Sequence, residues 1–89
     1  MILMKIKLMP SSPDVDLEKI KKGIKGIIKK TENSSLHSLN EEPIAFGLKS
    51  LNLLVTWPDE KSPEDLEEEL KKIKNVSSVE VTDVRRAVG

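Results

Sequence analysis

Few residues in this sequence are of types that carry out chemistry, and their spacing brings no reactive set together. His37 is the only histidine, and it lies in a short alternating segment. A lone imidazole there is more often a surface or packing residue than a base or a ligand. The acidic pairs Glu41-Glu42 and Asp59-Glu60 are expected in turns, where adjacent carboxylates are usually solvated. A metal site or an acid–base pair would need further partners, which the sequence does not supply.

The sequence also lacks the familiar motifs of catalytic and nucleotide-binding sites. It has no cysteine, which excludes disulfides, thiolate nucleophiles and cysteine–metal sites. It contains neither HExxH nor GxSxG, and its four glycines are scattered rather than gathered in a phosphate-binding loop. We therefore expect a protein that is not an enzyme and that holds no cofactor and no metal.

Length and charge narrow the class of partner. The 89 residues predict a single small domain over residues 1–89. The 15 basic and 15 acidic residues balance, which argues against direct nucleic-acid binding. Residues 1–30 carry eight lysines and three acids, a net charge of +5, and the rest carries −5. Either this asymmetry orients a polar protein partner, or the helix faces are simply solvated.

Because Lys5 and Lys7 interrupt the apolar start, we expect no membrane span and a cytoplasmic protein.

Hydrophobic periodicity predicts four strands and two helices that would position any site. Strands are expected over residues 2–9, 36–42, 48–57 and 76–86, and helices over residues 17–28 and 63–74. Asp14 and Asp16 lie where the start of a helix favours acidic residues, Ser62 is a good N-cap, and Pro63 suits a first helical position. Glu41-Glu42-Pro43 is expected to end the second strand. Gly23 and Gly26 are weak helix formers and would permit close approach to a sheet.

The order β-α-β-β-α-β predicts a ferredoxin-like α+β fold, a four-stranded antiparallel sheet with both helices on one face. This fold hosts many unrelated functions. RNA-recognition domains stack bases on aromatics of the central strands, but here the aromatics are only Phe46 and Trp57. Acylphosphatase-like enzymes need an arginine in the loop after the first strand, and residues 10–13 contain none. Neither use fits this sequence.

Three stretches together resemble one family. They are residues 9–17 (MPSSPDVDL), residues 41–51 (EEPIAFGLKSL) and residues 79–86 (VEVTDVRR). The chain resembles archaeal elongation factor 1-beta and the exchange domain of its eukaryotic relatives, over essentially its whole length. Residues 43–51, together with Thr82-Asp83-Val84, are the most specific part.

The resemblance implies a guanine nucleotide exchange factor for the GTPase elongation factor 1-alpha. In the eukaryotic relatives an aromatic-glycine pair before the third strand docks on the GTPase, and Phe46-Gly47 occupies that place here. The partner-binding residues implied by the matching stretches are Phe46, Gly47, Lys49, Asp83, Arg85 and Arg86.

Two matters stay open at the level of sequence. The eukaryotic relatives have a penultimate lysine that competes with magnesium, whereas this sequence closes on Ala87-Val88-Gly89, so that role is not transferred to a matching residue. Phe46 could also cap the core over the sheet edge. Two other functions compete with exchange: a regulatory domain that binds a small molecule at a homodimer interface, and a bare structural or interaction module.

Overall fold

The computed structural model describes residues 1–86, and its main elements follow the order that periodicity predicts. They are β1 (Ile2–Pro10), α1 (Leu17–Lys30), β2 (Ser35–Pro43), β3 (Lys49–Trp57), α2 (Pro63–Lys71) and β4 (Val76–Arg86). The strands form one sheet in the order β2-β3-β1-β4, with every neighbouring pair antiparallel. The predicted ferredoxin-like architecture is confirmed. Residues 87–89, which include the position compared above with the penultimate lysine of the eukaryotic relatives, lie outside the described residues.

One face of the sheet carries the core, because alternate residues of the two central strands point to the same side. The register places Met4 opposite Val55 and Ile6 opposite Leu53, and all four are buried. Both helices cover this face with apolar residues, namely Ile20, Ile24, Ile27, Ile28, Leu66 and Leu70. The buried indole of Trp57 donates its N–H to the Ser62 carbonyl at 3.0 Å, so it leaves no unpaired donor and ties β3 to the start of α2.

The second helix begins at its predicted cap, Ser62, and the structure makes Asp16, one of the two acids expected near the start of the first helix, the cap of α1. The Asp16 side chain accepts a hydrogen bond from the backbone N–H of Glu18 at 3.0 Å, and Ser62 accepts one from that of Glu64 at 3.2 Å. Each bond satisfies an N–H that has no partner within the helix. Pro63 occupies the first helical position, where its missing N–H removes nothing.

The second strand extends further than predicted. Glu41-Glu42-Pro43 does not end it, since all three residues pair with β3. Pro43 is tolerated because β2 lies at the edge of the sheet, where a missing N–H interrupts no second ladder. The prediction that Glu41 and Glu42 lie in a turn is therefore wrong. They are strand residues whose carboxylates face opposite sides.

A β-bulge at His37 explains why this strand alternates only loosely. The pairing register shifts between Leu36 and Ser38, which leaves His37 as an extra residue. As a result Leu36 and Leu39 both pack against the core, although they are three residues apart. The same shift places Glu41 on the side of the sheet that the helices cover.

A second bulge, at Thr82, re-aims the end of β4. Ile6 pairs with Val81 and Lys5 pairs with Asp83, so Thr82 is the unpaired residue. Its hydroxyl donates to the Lys5 carbonyl at 3.2 Å. Strict alternation would put residues 83 and 85 on the side of Val81, and the bulge moves them to the open side.

The helix glycines do not approach the sheet, so that expectation is wrong. A Cβ built on Gly23 would lie 3.4 Å from the side chain of Ile73, just beyond α2. A Cβ on Gly26 would meet nothing within 4 Å.

Neither α1 nor α2 has the length and apolar character that crossing a bilayer requires.

Candidate functional site: two exposed ends of the sheet

The β2–β3 connection forms a tight tip, residues 44–48, that projects from one end of the sheet. The Ile44 N–H donates to the Leu48 carbonyl at 2.7 Å, and the Leu48 N–H donates to the Ala45 carbonyl at 3.2 Å. Phe46 and Gly47 have φ of 61° and 77°. Glycine adopts this left-handed region freely, whereas for phenylalanine it costs about 1–2 kcal/mol. The backbone thus holds Phe46 in a conformation that its own preferences oppose.

Phe46 is exposed, which excludes the alternative that it caps the core. Its side chain is 93% accessible, and Ile44 beside it is 40% accessible. Large apolar side chains so exposed at one tip are typical of an interface anchor. Ile44 is a candidate that the sequence did not single out. Only the hairpin geometry, which brings residue 44 back opposite residue 48, marks it.

A cluster of four charged side chains lies behind the tip, where β2, β3 and α1 meet. Lys21 of α1 contacts Glu41 at 2.6 Å and Glu18 at 3.2 Å, and Lys49 lies 3.9 Å from the other oxygen of Glu41. Hydrogen bonding to Lys21, with smaller electrostatic effects of both lysines, holds the pKa of Glu41 below its ordinary value of 4.5. Hydrogen bonds to Glu41 and then Glu18 raise the pKa of Lys21 above 10.5. Both groups are therefore charged at neutral pH.

A shallow groove separates the tip from the segment between β1 and α1. It measures about 280 Å³, and its walls include Pro13, Val15, Gly47 and Lys49. The predicted partner-binding residues Gly47 and Lys49 therefore line a shared depression, next in the chain to the exposed Phe46.

The other predicted residues lie at the opposite end of the sheet. Arg85 and Asp83 are on the open side, and the Arg85 Nε donates to the Asp83 carboxylate at 2.9 Å. Arg86 is opposite Ile2 on the helix side. The two arginines thus face opposite sides, as strand alternation predicts.

Arg86 lies beside another exposed apolar side chain, Val84. Val84 is 48% accessible, and it lines a depression with Ile2, Asp59 and Arg86. Asp59 contacts the amino group of Met1, and that hydrogen bond together with a smaller effect of Arg86 lowers the Asp59 pKa. The prediction that Asp59 is simply solvated is therefore too simple, because its charge is partly compensated within the protein.

The six predicted residues thus form two groups rather than one site. Lys49 begins β3 at the tip end, while Arg85 is opposite Leu3, which is itself opposite Thr56 near the other end of β3. Seven residues of strand span about 23 Å at ~3.3 Å each. One partner can meet both groups only if it extends along the length of the sheet.

Within residues 1–86, no three histidine, cysteine or acidic side chains are arranged to hold a metal ion. The His37 ring is 3.3 Å from the Thr56 hydroxyl across the two strands, a structural contact far from the tip. What the two groups present at the surface is exposed apolar side chains and charged side chains held in ion pairs.

Comparison with known proteins gives matches over nearly the whole chain. Residues 3–87 match the EF-1 guanine nucleotide exchange domain. Elongation factor 1-beta of Methanothermobacter thermautotrophicus is 55% identical over 82 residues, 91% of this chain and 90% of that protein. Elongation factor 1-beta of Methanocaldococcus jannaschii is 38% identical over 87 residues, 97% of each.

Among solved structures, the ACT domain of GTP pyrophosphokinase from Chlorobium tepidum superposes with a TM-score of 0.63. It covers 89% of this chain and 95% of that chain at 20% sequence identity. Identity at that level supports the shared fold alone, so this likeness lends no weight to a regulatory function.

Proposed function

This chain belongs to the EF-1 guanine nucleotide exchange domain family, and on that premise we propose that it binds the GTPase elongation factor 1-alpha and promotes exchange of GDP for GTP during protein synthesis. The observation that carries this function is the match over residues 3–87, which leaves almost no part of the chain for another role. In this proposal the GTPase partner binds the nucleotide, and this chain acts only by binding the GTPase. We place the action in the cytoplasm because translation occurs there.

Differential binding is sufficient for such a function. A GTPase holds GDP through backbone contacts to the phosphates and through magnesium. An exchange protein that binds the nucleotide-free GTPase more tightly than the GDP-bound GTPase weakens the binding of GDP. By linkage, GDP weakens the binding of the exchange protein by the same ratio. A thousandfold faster release needs about 4 kcal/mol off the barrier. An interface with one aromatic anchor and a few charged contacts can supply that amount.

We assign the anchoring role to Phe46. Its ring is exposed at a tip that two backbone hydrogen bonds close, so binding would have to immobilise few further rotatable bonds. Gly47 permits the left-handed turn that presents the ring, and Lys49 adds a cation in the adjoining groove. Asp83, Arg85 and Arg86 form a second contact at the far end of the sheet, where Arg86 meets the partner from the helix side.

The direct experiment is release of a fluorescent GDP analogue from the elongation factor 1-alpha of the same organism. We expect substoichiometric amounts of this protein to accelerate release many-fold in the presence of excess unlabelled GDP. A matched reaction without the protein gives the intrinsic rate. No acceleration, with a folded sample and a GTPase that still binds nucleotide, would overturn the proposal.

A further inference from the structure

The tip that presents Phe46 has no apolar core of its own. The 3-10 turn Ala45–Gly47 buries no side chain, and the tip is closed by only two backbone hydrogen bonds, those of the Ile44 and Leu48 amides. It extends from β2, an edge strand that pairs only with β3, and from the start of β3, whose pairing with β1 stops at Leu51. Beyond Leu51 the hairpin is a two-stranded ribbon with no third strand beside it, so side-chain contacts between its end and the body of the domain help to set the orientation of the tip.

Glu41 provides such a connection. It lies on the helix-covered side of β2, in the row that holds the apolar Leu36 and Leu39. Its two carboxylate oxygens contact Lys21 of α1 at 2.6 Å and Lys49 of β3 at 3.9 Å. The Lys21 side chain is only 18% accessible and that of Glu41 only 32%, so this pair is more enclosed than an ordinary surface ion pair.

We propose that Glu41 and Lys21 are positioning residues, which hold the β2–β3 hairpin against α1 and thereby fix the direction in which Phe46 points. This inference rests on the proposed exchange function. Removing the pair takes no apolar side chain out of the core, because neither residue belongs to it. It allows the hairpin end to move, so that the binding-competent orientation is populated for a smaller fraction of the time.

Glu42 offers a matched control within the same strand. It carries the same charge one residue further on, but its carboxylate faces the open side and accepts a hydrogen bond from Asn52 at 2.8 Å. Glu41→Gln and Glu42→Gln therefore make the same change in net charge and keep the side-chain shape. Only the first removes a charge that joins the hairpin to α1.

The first test uses the free protein and needs no GTPase. Amide hydrogen exchange of Ile44 and Leu48 is expected to become about two- to fivefold faster in Glu41→Gln, the range for loss of one ion pair, and to stay unchanged in Glu42→Gln. Amides of β1 and β3 serve as internal references for global stability. Lys21→Gln removes the same pair from the helix side and should reproduce the effect.

A second measurement follows the anchor itself. Phe46 is the only phenylalanine of the chain, so biosynthetic incorporation of 4-fluorophenylalanine gives one fluorine resonance that reports on the tip. Its relaxation should indicate a more mobile ring in Glu41→Gln than in the wild-type protein or in Glu42→Gln. Equal relaxation and equal exchange of the tip amides in both variants would overturn the positioning role.

The third measurement connects the tip to function. With the fluorescent GDP analogue, Glu41→Gln should raise the concentration of factor that gives half-maximal acceleration by about two- to fivefold and leave the maximal rate unchanged. If the tip is more mobile in Glu41→Gln but the kinetics of GDP-analogue release are unaltered, the link between the orientation of the tip and function is refuted. If the wild-type protein itself fails to accelerate release, the exchange proposal fails, while the two measurements on the free protein still decide whether Glu41 positions the tip.

Discussion

Replacement of Phe46 by alanine separates binding from folding more cleanly than any other change. The ring is 93% exposed, so its removal takes almost nothing from the core, and alanine keeps the same left-handed backbone strain. We therefore expect the free energy of unfolding to stay within about 0.5 kcal/mol of the wild-type value. An aromatic anchor at the centre of an interface typically contributes about 2 kcal/mol or more, which corresponds to about a 30-fold loss in the efficiency of exchange.

The assay is GDP-analogue release as a function of factor concentration, with urea denaturation of the same samples as the measure of folding. Phe46→Leu is the graded control, since it keeps much of the apolar volume and should lose less. Unchanged exchange by a folded Phe46→Ala protein would refute the assignment of Phe46 as the anchor. A large fall in stability would show instead that the ring has contacts within the folded protein.

Three further outcomes follow from the structure. Gly26→Ala should raise the Tm by about 2–8 °C, because the added methyl meets nothing and alanine is the better helix former; an unchanged or lower Tm in a thermal melt would contradict this. The Glu41 pKa is lowered in the folded state, so the ionised Glu41 carboxylate stabilises the fold at pH values above its unfolded pKa near 4.5. This stabilisation is lost as the pH falls through the folded pKa. The difference in unfolding free energy between wild type and Glu41→Gln should therefore be constant near neutrality and shrink below about pH 4.5, whereas a difference that grew on acidification would refute it. Arg86→Gln should slow exchange about two- to fivefold at low salt and more than Arg85→Gln does, because Asp83 already neutralises Arg85; equal effects would argue against that assignment.

The fold could be predicted from sequence because its signals are local and repeated. Alternation in β1 and β3, helical spacing in α1, the acids before α1 and the cap at Ser62 each act over a few residues, and they agree with one another. The function could be predicted because residues 41–51 and 79–86 resemble a family, not because composition or spacing required it.

The edge strand β2 was predicted less well. Pro43 normally ends a strand, but whether it does so depends on whether a neighbour needs its N–H, and only the strand order decides that. Likewise Glu41 and Glu42 look alike in sequence as adjacent acids. The tertiary structure gives one of them two lysine partners and leaves the other on the open side.

The sequence alone determined the order of elements, the core faces of the central strands and the family to which the chain belongs. Only the tertiary structure decided which surfaces are exposed and which residues share a side. The bulge at Thr82 sets the side on which each arginine lies, and the sheet places the Phe46 and Arg86 groups at opposite ends. The physical reason is that local sequence encodes periodicity and caps, whereas exposure, bulges and ion pairs depend on strands that are distant along the chain.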